Sequence, residues 1–276
     1  MNLSNCGLSQ LCDLESGGWS QDLIQGCGID GSKLPPILRC TDVAGRVIPA
    51  AAAAAGLAAG TPVIAGAMDN VAAALGTGLA RAGSAGVSAG TATNTNACVA
   101  SPVGAASGLH CYHHALPGLW IAAGGVDYGG AGLRWFRDLL DRGDYRGLDA
   151  AVEALPYDHA PLLFLPYMVG QRAPLWNDAA RGALIGLEPG TSRAAVARAI
   201  MEGNALGTRR VRDLVGGGDP ARQSPAGEAL RLTGGCSRSA VWASIFADVT
   251  GRRVEIPGDR DATTLGTALM AAAGVG

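Results

Sequence analysis

The sequence holds one lysine, Lys33, few aromatic residues (5%) and few charged ones (16%), with a net charge of only −2. Arginine carries the remaining positive charge, and no arginine cluster alternates with aromatics. There is no basic field to attract nucleic acid, which excludes that class of partner. The seven cysteines (Cys6, Cys12, Cys27, Cys40, Cys98, Cys111 and Cys236) never fall in a C-x-x-C pair. Neither a disulfide framework nor a zinc knuckle is indicated, and a reducing compartment is expected. No apolar run reaches the ~20 residues of a membrane span, and no charged n-region precedes an apolar core. These absences point to a cytoplasmic location with no membrane partner. The P-loop G-x-x-x-x-G-K-[ST] is missing as well.

What the chain has in excess is glycine, 42 of 276 residues, beside a hydrophobic content of 48%. That pairing suggests close-packed helices and special turns rather than disorder, in one large domain or two. From Thr61 to Thr95 the only acid is Asp69. Pro62 to Ala65 reads as a short buried strand, Gly66 as a turn and Val71 to Leu79 as a helix, so Asp69 falls where strand gives way to helix. Loops at the carboxyl ends of strands often carry the chemistry of α/β folds. Val87 to Ala89, Gly90 and Thr91 to Thr93 then read as strand, tight turn and strand, offering backbone N–H groups to an anion. An acid followed by an anion loop suggests phosphoryl transfer. A plain helix N-cap is the other role open to Asp69.

Upstream, a short helix is expected from Trp19 to Gln25, a strand from Val43 to Ile48 around Gly45, and an alanine helix from Ala50 to about Leu57 with Pro49 at its first turn. Downstream, the run His110-Cys111-Tyr112-His113-His114 lacks a carboxylate partner and a regular spacing, which favours a strand or loop wall over a metal site. Trp120 to Ala123 reads as a strand, and Gly124 to Gly130 as a flexible loop without a G-x-G-x-x-G fingerprint, opening a helix from Ala131 to Asp141. Leu162 to Leu165 is a strand leading into a polar loop with Gln171 and Arg172. Thr191 or Ser192 caps a long helix from Arg193 to Leu214, in which Glu202 either pairs with Arg172 or stays solvated. Residues 216–225 read as a surface loop. Ala229 to Thr233, Gly234-Gly235-Cys236 and a helix capped by Ser237 or Ser239 make a strand, double-glycine turn and helix N-terminus, a phosphate cradle on physical grounds. Gly266, in a helix from Ala262 to Ala273, has no turn around it, so close helix packing is its expected use.

Four blocks, in this order, resemble the FGGY carbohydrate kinases: GTPVIAGAMDNVAAALGTG with SAGTATN; PGLWIAAGG with GGAGLRWF; FLPYMVGQRAPLWNDAARGALIGL with RAIMEGNALGTR; and LTGGCSRSAVWASIFADVTGRRVEIP with ATTLGTALMAA. The resemblance covers nearly the whole chain. It implies an α/β fold of the actin-like ATPase (ribonuclease-H-like) kind, ATP-dependent phosphorylation of a sugar hydroxyl, and ATP and Mg²⁺ as cofactors. It also implies that Asp69 is the catalytic base and that Asn70 contacts the sugar. ATP would be held by Gly90 and Thr91 of the second phosphate loop, by Gly130 and Arg134, and by Gly234, Gly235, Cys236 and Ser239 of the adenosine motif. Ala92 stands where the family commonly has serine, and Gln171 where glutamate is usual before Arg172.

Residues 1–82 resemble the end of the family's sugar-binding first domain and residues 83–276 its ATP-binding second domain. The family's first phosphate loop, D-x-G-T-x-x-x-[KR], which carries the Mg²⁺-anchoring aspartate, does not occur in the chain. A partial first domain with exposed apolar surface is therefore expected, with a homodimer or a complementing N-terminal chain as its partner. The alternative is a non-catalytic nucleotide-binding remnant, or one half of a split kinase. The PGLWIAAGG block and the Asp69-Asn70 pair look closest to xylulose kinases, which favours a pentulose, while APLWNDAARG is also similar to gluconate-type members.

Overall fold

The computed structural model describes residues 1–140, 143–156, 162–217, 228–258 and 261–276. Residues up to Gly76 form the short helices α1 (Leu3–Cys6), α2 (Gln21–Gly26), α3 (Pro49–Ala55) and α4 (Asp69–Gly76). Between them β1 (Val43–Arg46) pairs antiparallel with β2 (Pro62–Ile64). Ser20 caps α2 by accepting from the Leu23 N–H, and Pro49 opens α3, where its missing N–H leaves no donor unsatisfied. This part carries the exposed apolar surface that was expected. Ile48 is 63% exposed, Leu57 54% and Val63 46%.

The remainder is built on a mixed six-stranded sheet. Its members are β3 (Ala85–Ala89), β4 (Thr93–Val99), β5 (His110–His113), β6 (Trp120–Val126), β9 (Leu230–Thr233) and β10 (Val254–Glu255), while β7 (Leu163–Leu165) and β8 (Ala183–Ile185) pair separately. The order across the sheet is β10-β9-β3-β4-β6-β5, with β10, β9 and β3 parallel and the other pairs antiparallel. On one face pack α5 (Gly130–Leu140), α6 (Tyr145–Glu153), α7 (Arg193–Gly216) and α8 (Ala240–Thr250), around Val87, Leu232, Ile200 and Phe246. On the other, α4 and α9 (Ala262–Val275) enclose Val71, Cys98, Ile121 and Met270.

The period of two along β4 connects sequence to site. Thr93 and Thr95 point at α7, where their hydroxyls hydrogen-bond Asn204 Oδ1 and Thr208 Oγ1, each at 3.1 Å. All four residues are fully buried, so these bonds satisfy groups that would otherwise destabilise the interface. Asn96 points the opposite way, into the α4 side.

Several boundaries differ from the sequence reading. Gly124 and Gly125 belong to β6 instead of opening a loop, because β6 pairs with β4 as far as Val126. α4 begins at Asp69 itself, and its N-cap position is Met68 without a side-chain cap, so Asp69 is not the cap residue. Strand β4 begins at Thr93, leaving Gly90 to Ala92 as the turn. Glu202 pairs with Arg198 one helical turn away (2.8 Å), and Arg172 pairs with Asp127, so of the two roles open to Glu202 the pairing with Arg172 does not form. The surface loop expected over 216–225 lies outside the described residues beyond Gly217, and so does the α5 end at Asp141. Among the described residues no helix is long and apolar enough to cross a membrane.

Gly266 meets its expected use. An added Cβ there would lie 1.8 Å from the Ala72 carbonyl oxygen, and one at Gly76 would lie 1.9 Å from that of Ala262. The two helices thus touch backbone to backbone, and α9 seats the helix that carries Asp69.

Candidate active site

The ten residues singled out from the sequence fall into two groups. Asp69 and Asn70 lie at the start of α4, on the sheet face toward α9, in a cleft of about 390 Å³ with Asn94, Asn96, Arg172 and Arg231. An adjoining hollow of about 270 Å³ shares both residues and adds Tyr112, His110, Asp127 and Gln171. Asp69 is exposed, and its Oδ1 accepts from the Asn70 N–H at 2.6 Å. Asn70 is held from both ends of its amide. Its Nδ2 donates to Asn96 Oδ1 (3.1 Å) and to the Tyr112 hydroxyl, and its Oδ1 accepts from Asn96 Nδ2 (2.7 Å). Burial pushes the Tyr112 hydroxyl pKa up, opposed by its bond from Asn70, so the group stays a neutral phenol.

The second wall of this hollow is fixed by Gln171 and Arg172. Gln171, 3% exposed, donates to the carbonyls of Gly125 (3.0 Å) and Ala173 (3.2 Å) and accepts from the Asp127 N–H (3.3 Å). A glutamate here could not donate to those carbonyls while ionised. Arg172 grips Asp127 through its backbone N–H (2.7 Å), Nε (2.9 Å) and Nη2 (2.7 Å). His110 lies edge-on to Trp176, with centroids 5.0 Å apart, and burial, helped by the Arg172 charge, lowers its pKa.

The second group surrounds a separate cavity of about 650 Å³ on the side of the sheet toward α5, α6 and α8. Gly90, Thr91, Gly130, Arg134, Gly235, Cys236 and Ser239 line it. Gly234 stands behind them. Its φ of 84° and a Cβ position 2.6 Å from the Ala89 carbonyl admit only glycine there. The Gly90 turn is braced by α5, whose Gly130 and Ala131 N–H groups donate to the carbonyls of Gly90 (2.8 Å) and Thr91 (3.2 Å). The Gly90 N–H itself turns inward to the Ala92 carbonyl (2.9 Å) and is spent within the turn.

The double-glycine turn differs in detail from a simple strand-to-helix cradle. A short 3₁₀ turn, Gly235–Arg238, precedes α8, and the capping serine is Ser239, whose Oγ accepts from the Trp242 N–H at 3.1 Å. Ser237 instead donates to the Gly234 carbonyl (2.7 Å). Burial, with the Asp149 charge behind it, pushes the Cys236 thiol up to about 12, which makes it a packing group and not a nucleophile.

The cavity suits a nucleotide. Backbone approaches it closely at Gly90 and Gly235, and three arginines (Arg134, Arg146 and Arg238) line it. Mg²⁺ is another matter. Among the described residues no group of three or more His, Cys, Asp or Glu could hold a metal, and the histidine-rich run forms β5.

Asn96, Tyr112, Asp127, Asp149 and Trp242 are site-lining residues that sequence reasoning did not single out. Their partners lie far along the chain, and only the alternation of β4, which places Asn94 and Asn96 on one face, was open to a sequence reading.

Comparison with known proteins accounts for this arrangement. Residues 1–76 match the N-terminal domain model of the FGGY family of carbohydrate kinases, and residues 81–275 match its C-terminal domain model. Over 275 residues the chain is 29% identical to the xylulose kinase of Escherichia coli (strain K12), covering 98% of this chain and 54% of that protein. It is 32% identical to the glycerol kinase of Alkalilimnicola ehrlichii over 291 residues, covering 99% of this chain and 54% of that one. The crystal structure of the xylulose kinase from Rhodospirillum rubrum is similar with a TM-score of 0.85 at 31% identity, covering 96% of this chain and 53% of that one. The chain thus spans about half the length of the relatives it matches. With its mixed sheet in the actin-like ATPase arrangement, the chain belongs to the FGGY family of carbohydrate kinases.

Proposed function

We propose that these residues serve an ATP-dependent sugar kinase, which transfers the γ-phosphoryl group of ATP to a hydroxyl of a ketose or polyol. Residues 1–82 are the end of its sugar-binding domain and residues 83–276 its ATP-binding domain. Asp69 takes the proton from the attacking hydroxyl, and Asn70, fixed by Asn96 and Tyr112, orients the sugar beside it. ATP supplies the phosphoryl group from the larger cavity, where Gly90, Thr91, Gly130, Arg134, Gly235, Cys236 and Ser239 form the walls and Gly234 shapes the turn behind them. Phosphoryl transfer asks mainly for positioning and for a base, and a single carboxylate suffices for the latter. No step is assigned to Mg²⁺, for which the described residues offer no ligand cluster.

The observation that carries this reading is the pairing of two cavities across the β3–β4 hairpin. One holds the exposed acid and the other the glycine turns with the arginines. A pentulose is the favoured substrate, since relatives named xylulose kinases match nearly the whole chain. The test is ADP release from ATP over a panel of ketoses and polyols, by the chain alone and with a separately expressed N-terminal half of a xylulose kinase. Sugar-dependent release, greatest with a pentulose, is expected in the supplemented form. No sugar-dependent release in either form overturns the kinase reading.

A further inference from the structure

The hollow of about 270 Å³ beside Asp69 carries three charged side chains, Asp69, Asp127 and Arg172. His110, whose pKa burial lowers, and the phenol of Tyr112 add no charge at neutral pH. Arginine grips a carboxylate best with its Nε–Nη2 edge, two parallel donors in a fixed fork. In Arg172 that edge is already occupied, since Nε (2.9 Å) and Nη2 (2.7 Å) both donate to Asp127 Oδ1. Asp127 is itself held from two further sides. Its Oδ2 accepts from the Arg172 backbone N–H (2.7 Å), and its own backbone N–H donates to Gln171 Oε1 (3.3 Å). The carboxylate is the sheltered member of the pair, its side chain 17% exposed against 69% for the guanidinium. Among the described residues, Nη1 of Arg172 has no protein partner.

A sugar acid entering this hollow would meet one unpaired negative charge and no free carboxylate clamp. Arg231 lines the adjoining cleft but not this hollow, and Glu228 stands 3.9 Å from its Nη1. So small a space is narrower than the Debye length of ~10 Å at 0.1 M salt, and a bound carboxylate would feel every charge on its wall. Resting on the sugar-kinase reading of this cleft, we propose that the Asp127–Arg172 pair sets the charge class of the substrate, with Asp127 the specificity-determining residue. By neutralising the hollow's one cation, Asp127 leaves two carboxylates against one guanidinium, a net charge of −1. Such a wall admits a neutral ketose or polyol and turns away an aldonate. Arg172 Nη1 still donates to a hydroxyl or keto oxygen, which needs no counter-charge. The selection rests on repulsion of the wrong ligand as well as on fit to the right one.

The experiment is phosphorylation of D-xylulose, read as the sugar phosphate, by the full chain supplemented throughout with the same N-terminal half of a xylulose kinase. D-gluconate and its neutral counterpart D-glucitol compete in turn at constant ionic strength, and the ratio of their inhibition constants separates the carboxylate from the size of the sugar. Wild type is expected to hold D-glucitol about tenfold more tightly than D-gluconate, the factor that one like charge roughly 6 Å away costs at an effective dielectric of about 40. The two variants move this ratio in opposite directions. Asp127→Asn takes the hollow to neutrality and brings the ratio to about one or below, whereas Arg172→Gln removes the cation and raises it. Salt at about 0.5 M narrows the wild-type ratio, because screening weakens a charge effect and leaves a steric one alone. A wild-type ratio of one overturns the inference. So do variants that shift the ratio in the same direction, which is a structural effect, or that leave it where it was. Absence of xylulose phosphorylation by wild type overturns the kinase reading itself, a result distinguishable from these.

Discussion

Asn70 and His114 illustrate two ways a polar group is handled inside this molecule. Asn70 has both ends of its amide bonded, so its orientation beside Asp69 is determined by neighbours on β4 and β5. His114 is 2% exposed, and its Nδ1 accepts from the Leu116 N–H at 2.9 Å, which makes Nε2 the protonated nitrogen of a neutral ring. Burial lowers its pKa to about 4, with the Leu79 backbone offsetting part of the shift. An unfolded histidine takes up a proton near 6.5. Between that pH and about 4 the unfolded chain therefore binds a proton that the folded chain refuses, and stability is lost as pH falls through this window. The full effect is on the order of 3 kcal/mol. Urea titrations from pH 7 to 4 should show the unfolding midpoint falling, and a His114→Gln variant, which cannot take up the proton, should show a shallower fall. An identical slope in the variant would contradict the assignment.

At the scale of elements, the contact between α4 and α9 matters most, because α4 carries Asp69 and α9 lies at the far end of the chain. Gly76 and Gly266 let the two backbones meet. A methyl group at Gly266 would fall on the Ala72 carbonyl, and no rotamer change can relieve a backbone clash. Gly266→Ala should destabilise the protein by about 1–3 kcal/mol, with a correspondingly lower urea midpoint. An unchanged midpoint would mean the helices are not in this contact. This packing was legible in the sequence, since a glycine inside a helix, away from any turn, has few other uses. The turn at Gly234 was legible for the related reason that close backbone approach excludes a side chain. The Asp127–Arg172 pair was not, and of the two roles left open for Glu202, pairing with Arg172 or solvation, the pairing does not occur. Asp127 and Arg172 are brought together by the order of the sheet, a long-range property that local spacing does not encode, whereas the Arg198–Glu202 pair lies one turn apart on α7 and was open to a helical-spacing argument. The start of α4 was misjudged by two residues because Met68, with no capping side chain, gives no local signal.

Over the whole molecule, the six-stranded sheet separates two chambers. Alternate residues of β4 serve opposite faces, Thr93 and Thr95 anchoring α7 and Asn96 bracing Asn70, so one strand ties the α7 layer to the helix that carries Asp69. Near β1 and β2 the apolar side chains of Ile48, Leu57 and Val63 are exposed. The central claim is that Asp69 is the base of a phosphoryl transfer carried out between these chambers. It is tested most directly by the rate of sugar-dependent ADP release for wild type and Asp69→Asn, with KM for ATP measured in both. The account predicts that kcat falls by about 10²–10⁴-fold while KM for ATP stays the same; a variant that keeps the wild-type kcat would contradict it.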